Sequence, residues 1–243
     1  MKLIILLFVI LVIIFFLYYY LNFYRFKKNK LNGSYIEELN FDDALVVDVR
    51  KRDEYENGHC KNAVNLPYSV LKKNIKFLEN YKEKEIIFYC TLDILSNLTK
   101  KIFIKKGYKH IKTADGFLEY NYDKRKYNNI LLNDFKIRLL EKDVIALNVG
   151  DEKLLKKEIF IPVDKLYENL KNLEKFKEKT FLVFSSGYKN QNLASDILYK
   201  NGFKVYNLIE NLNLNKLQLP VCNELEELLY SKKVQEEFCP KWV

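Results

Sequence analysis

The sequence predicts an α/β fold: two three-layer domains with parallel sheets, preceded by one transmembrane helix. Three observations lead there. Residues 3–24 carry no charge. Beyond them, short apolar runs alternate with helix-like stretches, the pattern of a parallel sheet covered by helices. The chain also resembles itself at an offset of 95: "YKEKEIIFYC" (81–90) is echoed by "FKEKTFLVFS" (176–185).

Taken in chain order, the first element is the apolar stretch. As a helix, residues 3–24 span roughly 33 Å, enough for a bilayer core. No small-residue cleavage site follows, and Tyr18, Tyr19 and Tyr20 resemble an interfacial aromatic belt. Arg25, Lys27, Lys28 and Lys30 outweigh Lys2 on the other flank. The positive-inside rule then puts the remainder in the cytoplasm and the protein in the membrane as a single-pass chain. The expected segments are 1–30 (anchor and basic flank), 31–128, 129–232, and a tail over 233–243.

Each repeat reads alike. "ALVVDV" and "VIALNV" form a first strand. A proline turn follows at Pro67 or Pro162. An amphipathic helix comes next, with Leu71, Ile75 and Leu78 matched by Leu166, Leu170 and Leu173. "IIFY" and "FLVF" form a second strand, followed by a loop, a helix ended by Gly107 or Gly202, and a short strand. Ligands of such sheets bind beyond the carboxyl ends of strands. Cys90 and Ser185 both stand there.

Composition excludes several classes. The net charge is +9 over 243 residues. The lysines are mixed with glutamates, as in "LKNLEKFKEK", and form no basic stripe interleaved with aromatics, so no nucleic-acid partner is expected. Heavy use of Lys, Asn, Ile, Tyr and Phe matches an AT-rich genome. Four cysteines and two histidines show no metal spacing and no disulfide framework. No metal and no cofactor are implied.

The run "LVVDVRKRDEYENGHCKNAVNLP" (45–67), then "IIFYC" (86–90), then Gly107, resembles the rhodanese-like domain. Asp48, Arg50, Glu54, Tyr55, Gly58, His59, Asn65 and Pro67 carry the resemblance, which covers residues 34–125. The second copy joins through the internal repeat. There Asn148 replaces Asp48, Gly150 replaces Arg50, and Ser185 replaces Cys90. Asn148 to Pro162 is 14 steps against 19 from Asp48 to Pro67, so the "EYENGH" region is missing. In tandem members the active cysteine usually lies in the C-terminal copy; here it lies in the N-terminal one.

The resemblance implies two fold-equivalent domains and a sulfurtransferase or persulfide carrier anchored at the membrane. Cys90 would be the catalytic nucleophile, and Thr91, Leu92, Asp93, Ile94, Leu95 and Ser96 the substrate-binding loop. The implied partner is a small sulfane-sulfur donor or a protein persulfide; a further protein partner is not identified. The alternative is a catalytically degenerate module that binds a protein at the membrane.

The loop keeps the family's six-step spacing from Cys90 to Ser96 but not its content. Thr91 stands for an arginine, Asp93 for a glycine, and Leu95 for a basic or hydroxyl residue. Aspartate tolerates unusual backbone angles better than most residues. Its charge would raise a nearby thiol's pKa and repel thiosulfate. A phosphatase would need a longer loop and a phosphate-clamping arginine.

Other residues read as structure. His59 is expected to bond neighbouring backbone, Asp48 and Arg50 to pair at the sheet end, and Cys60 to fill the core. Ser185 has no histidine to act as its base. Gly187 and Lys189 make the second loop the friendlier one for an anion. Cys239 lies on the tail with nothing to position it.

Overall fold

A computed structural model describes residues 7–18, 20, 30–155 and 157–212. Helix α1 includes residues 7–18 and 20. No helix among the described residues is long and apolar enough to cross a membrane. The expected transmembrane helix, and the single-pass membrane localisation with a cytoplasmic remainder, are corrected accordingly. The fold class becomes α/β with parallel sheets and, among the described residues, no transmembrane helix. Residues 1–6, 19 and 21–29, including Arg25, Lys27 and Lys28, lie outside the described residues.

The first sheet is built from β1 (Leu45–Asp48), β3 (Val64–Asn65), β4 (Ile86–Tyr89) and β5 (Ile111–Thr113), all parallel, in the order β3-β1-β4-β5. Leu31 adds a parallel bridge beside Ala114. Between the strands run α2 (Gly33–Glu38), α3 (Arg52–Glu56), α4 (Tyr68–Lys73) and α5 (Ile94–Lys105). Strands β1 and β4 are buried throughout, as expected when helices cover both faces. Alternation along each strand divides the core. Leu45, Val47, Ile86 and Phe88 join one cluster with Leu71, Leu78 and Phe103. Val46, Ile87 and Tyr89 join another with Ile36, Cys60 and Tyr122.

The second sheet has β7 (Asn128–Ile130), β8 (Val144–Asn148), β9 (Ile159–Phe160), β10 (Thr180–Phe184) and β11 (Lys204–Leu208), ordered β7-β11-β10-β8-β9. Read from β9, this is the first sheet's order, with β7 where Leu31 stands. Its helices are α6 (Leu132–Arg138), α7 (Leu166–Leu173) and α8 (Tyr188–Lys200). Helices α5 and α8 end alike. Gly107 and Gly202 have φ of +86° and +80°, and the next residue's N–H reaches back five residues, Tyr108 to Phe103 and Phe203 to Leu198.

One helix differs from expectation. The segment after Pro67 breaks at Asn74, whose side-chain oxygen accepts the Lys76 N–H at 3.1 Å. A 3-10 stretch over Ile75–Tyr81 replaces the helix that apolar spacing predicted. The asparagine offers the backbone a local alternative to the next helical turn.

The two sheets meet through polar side chains. The Tyr55 hydroxyl donates to the Ala63 carbonyl (2.8 Å) and accepts the Asn129 N–H (3.2 Å). The Asn129 amide donates to the Lys61 and Ala63 carbonyls and accepts from Asn207 at 2.8 Å. Asn207 also donates to Asn192, which donates to Asn62. Glu210 accepts from the Tyr81 hydroxyl and from the Leu132 N–H, each at 2.6 Å. β2 (His59–Cys60) pairs antiparallel with β6 (Lys124–Arg125), and Arg125 bonds Asp196 on α8 at 2.7 Å.

Candidate functional site

Cys90 is the residue after β4, at the carboxyl end of the first sheet, and is 2% exposed. Its carbonyl accepts the Phe117 N–H at 2.8 Å, and the Thr91 carbonyl accepts the Leu118 N–H at 3.3 Å. These bonds pin the start of the loop. The sulfur then meets the first turn of α5. The Ser96 N–H lies 3.4 Å from Sγ, and the thiol can donate to Ser96 Oγ at 3.5 Å. Ser96 Oγ itself donates to the Asp93 carbonyl at 2.9 Å. A helix N-terminus and its free N–H groups favour a thiolate and the anionic sulfur it would carry.

The loop residues divide sharply. Ser96 is buried and touches the sulfur. Thr91 turns to the Glu54 carboxylate at 3.0 Å. Leu95 packs on the core cluster that contains Cys90. Leu92 and Ile94 point outward, 52% and 70% exposed, and Leu118 stands out beside them in the chain's return past the loop. The exposed rim of the loop is therefore apolar at Leu92, Ile94 and Leu118.

Asp93 takes φ +56°, ψ −24° as the N-cap of α5. Among the described residues it is the only non-glycine with positive φ. The loop thus keeps the left-handed turn that a glycine would make, and aspartate bears its cost of about 1 kcal/mol. The Asp93 carboxyl is bound rather than bare. Lys30 Nζ lies 2.9 Å from it, 3.1 Å from Asp115 and 2.5 Å from Glu119. The Gly33 N–H donates to Asp115 and the Gly116 N–H to Glu119.

Burial works against the Lys30 ammonium, but hydrogen bonds to the three carboxylates hold its pKa above the ordinary lysine value. Burial pushes the Asp93 carboxyl up, against the pull of Lys30 and with help from Glu119. Burial would raise Glu119 too, yet Lys30 and the Gly116 N–H hold it below its ordinary value. Gly116 has no room for a side chain: an added Cβ would collide with the Thr91 carbonyl.

The remaining residues support this end of the sheet. Arg50 meets Asp48 through Nε (3.0 Å) and Nη2 (2.6 Å), donates to the Gly58 carbonyl, and stacks on Phe117 with its guanidinium carbon 3.9 Å from the ring centre. Burial raises the Asp48 carboxyl, with Arg50 opposing. His59 stacks on Tyr55, centroids 3.6 Å apart, with Nδ1 3.0 Å from the Tyr55 carbonyl. Burial pushes its pKa down to about 3, so it is neutral and structural. Cys60 is fully buried, and burial pushes its thiol up to about 12. Cys60 and Cys90 are both unpaired. Among the described residues no cluster could hold a metal ion.

At the equivalent place in the second sheet, Ser185 is fully buried. Its hydroxyl donates to the Gly187 carbonyl at 2.5 Å and accepts the Gly187 N–H at 3.1 Å. The Leu212 N–H reaches the Ser185 carbonyl as Phe117 reaches Cys90. Asn148 accepts the Gly150 N–H as Asp48 accepts that of Arg50. The hydroxyl is thus spent on its own loop. The Lys189 side chain, Cys222 and Cys239 lie outside the described residues.

Sequence reasoning placed Cys90 but missed Lys30, Asp115, Gly116, Phe117 and Glu119. Lys30 reads as one more cation in a basic flank. The only local signal was "DGF" after the third strand, where glycine allows a close approach.

A separate open groove of about 520 Å³ lies at the amino ends of β10 and β11, lined by residues such as Lys126, Tyr199 and Lys204. It contains no loop residue and lies at the wrong end of its sheet for such chemistry.

Residues 32–120 match the family model described as rhodanese-like domain. The chain is 32% identical over 120 residues to a tRNA uridine(34) hydroxylase of Wigglesworthia glossinidia brevipalpis, covering 47% of this chain and 35% of that protein. It is 27% identical over 117 residues to the protein of that name from Buchnera aphidicola, covering 43% and 38%. It therefore spans well under half the length of these relatives. Among solved structures, a rhodanese with anions from E. coli is 28% identical, covering 34% of this chain and 98% of that one, with a TM-score of 0.32.

Proposed function

We propose, on the premise that residues 32–120 form a rhodanese-like domain, that the chain accepts and passes on sulfur through Cys90. The observation that carries this reading is the Cys90 sulfur held 3.4 Å from the Ser96 N–H at the start of a 12-residue helix. In the step proposed, the Cys90 thiolate attacks the outer sulfur of a sulfane donor. The donor's S–S bond breaks and the donor leaves with the electron pair. Cys90 then holds a persulfide. An acceptor thiolate takes the outer sulfur and returns Cys90 as thiolate.

Charge narrows the donor. Glu54, Asp93, Asp115 and Glu119 stand at or behind the loop, with Lys30 as the cation among them. A dianion such as thiosulfate is disfavoured there by like charge. A neutral persulfide or a protein persulfide meets less repulsion, and the exposed Leu92, Ile94 and Leu118 suit an apolar contact. The second sheet, with its self-bonded Ser185, is read as a degenerate rhodanese-like copy that supports the first.

The test is persulfide-trapping mass spectrometry on the full chain after exposure to thiosulfate, glutathione persulfide and a persulfidated carrier protein. One added sulfur on the Cys90 peptide is expected, strongest with the carrier, and absent in Cys90→Ser. If no donor labels Cys90, the domain is a degenerate binding module and the sulfur reading fails.

A second reading has one observation in its favour: relatives that share a stretch of 83 to 120 residues are named tRNA uridine(34) hydroxylases. On that reading the Cys90 loop serves tRNA modification. It predicts that the chain retains tRNA with an affinity that falls steeply as salt rises. Equal recovery of tRNA and of an unrelated polyanion would remove it.

A further inference from the structure

We propose that Lys30 is a positioning residue for Cys90, acting through Asp93 and Ser96. The inference deepens the sulfur-transfer reading and rests on it only for its kinetic arm. Lys30 lies outside the residues that match the family model, yet its ammonium reaches the loop from 63 residues away.

The connection is short and continuous. Lys30 Nζ binds Asp93 Oδ2 at 2.9 Å. The Asp93 carbonyl accepts Ser96 Oγ at 2.9 Å and the Asn97 side-chain amide at 2.8 Å. Ser96 donates its N–H to the Cys90 sulfur, and its Oγ accepts the thiol. Whatever fixes Asp93 therefore fixes the Ser96 groups around the sulfur.

Asp93 needs fixing. Its φ of +56° is natural for glycine and unfavourable for aspartate. Left alone, the residue would relax toward negative φ and pull its carbonyl away from Ser96. The ion pair opposes that relaxation. Lys30 is itself held by Asp115 and Glu119, whose segment carries the Phe117 N–H that binds the Cys90 carbonyl. One buried ammonium thus ties the far side of the loop to the near side. It also turns the Asp93 carboxyl to itself, so the charge that would oppose a thiolate is met by a cation.

This predicts a pattern that a general structural role would not give. Lys30→Met should speed amide hydrogen exchange across residues 91–97 by about tenfold while the central strands keep their protection. It should slow persulfide formation at Cys90 by about tenfold, and Lys30→Arg should restore both measures to within about threefold. Asp93→Gly placed on Lys30→Met should also restore them, because glycine takes the turn unaided and removes the unpaired carboxylate.

Exchange that rises evenly over residues 32–120, or a loop unchanged in Lys30→Met, overturns the proposal. So does a double variant no better than Lys30→Met. If the native chain takes no sulfur from any donor, the sulfur reading fails alone, and the exchange pattern still decides the role of Lys30.

Discussion

Arg50→Met is expected to cost the fold about 4 kcal/mol, because it strands a fully buried carboxylate. Asp48 is 0% exposed and takes three hydrogen bonds from the Arg50 side chain and one from its N–H. The methionine would fill the space over Phe117 but would leave Asp48 without its charge partner and the Gly58 carbonyl without its donor. Urea unfolding near neutral pH, comparing midpoints at constant m, measures the loss.

The sign of its pH dependence follows from the carboxyl. Burial raises the Asp48 pKa in the fold even with Arg50 opposing. A raised folded value means that Asp48's contribution to stability is fully present below its unfolded value of about 3.9 and is lost as pH rises through the folded value. Without Arg50 the folded value climbs further. The gap between native and variant should therefore be widest near neutrality and narrow as pH falls toward 4. A gap that stays constant would mean that lost packing, not an unpaired charge, is the cause.

Glu210→Leu is expected to remove about 3 kcal/mol by leaving two buried donors without an acceptor, each costing about 1–3 kcal/mol. They are the Tyr81 hydroxyl from the first half and the Leu132 N–H from the second. Glu210→Gln keeps an oxygen there and should lose less than half as much. Tyr81→Phe alone should lose about 1 kcal/mol. Combined with Glu210→Leu it should cost less than the sum, since the stranded hydroxyl is then gone. Strict additivity in chemical denaturation would show that the bond between the halves carries no coupling.

Most of the scaffold was legible because its signals are local. "LVVD", "IIFY" and "TFLVF" are apolar runs of strand length bounded by polar residues, and they are buried central strands. Gly107 and Gly202 were legible as helix ends because few residues but glycine take that φ. Cys90 was legible by its place after a strand. The glycine requirement at position 93 was also read correctly as a matter of backbone angle, and aspartate meets it.

What was not legible depends on contacts distant in sequence. The charge of Asp93 was read as bare because its partner, Lys30, lies far upstream in a stretch that resembled the flank of an anchor. Composition suggested the anchor itself, and no helix among the described residues is long and apolar enough to be one. The break at Asn74 was hidden by apolar residues that keep helical spacing on both sides of it.

The asparagine chain between the sheets bears on how this protein could be cut. Asn62, Asn129, Asn192 and Asn207 hold one another through directional bonds that a single docking register satisfies. A fragment ending near residue 128 would carry every atom of the Cys90 loop. It would still lose the Asn129 N–H from Tyr55 and the Glu210 acceptor from Tyr81. The half without Cys90 is thus the mould against which the other half is cast. Two fragments made by a nick near that point belong together as a noncovalent pair.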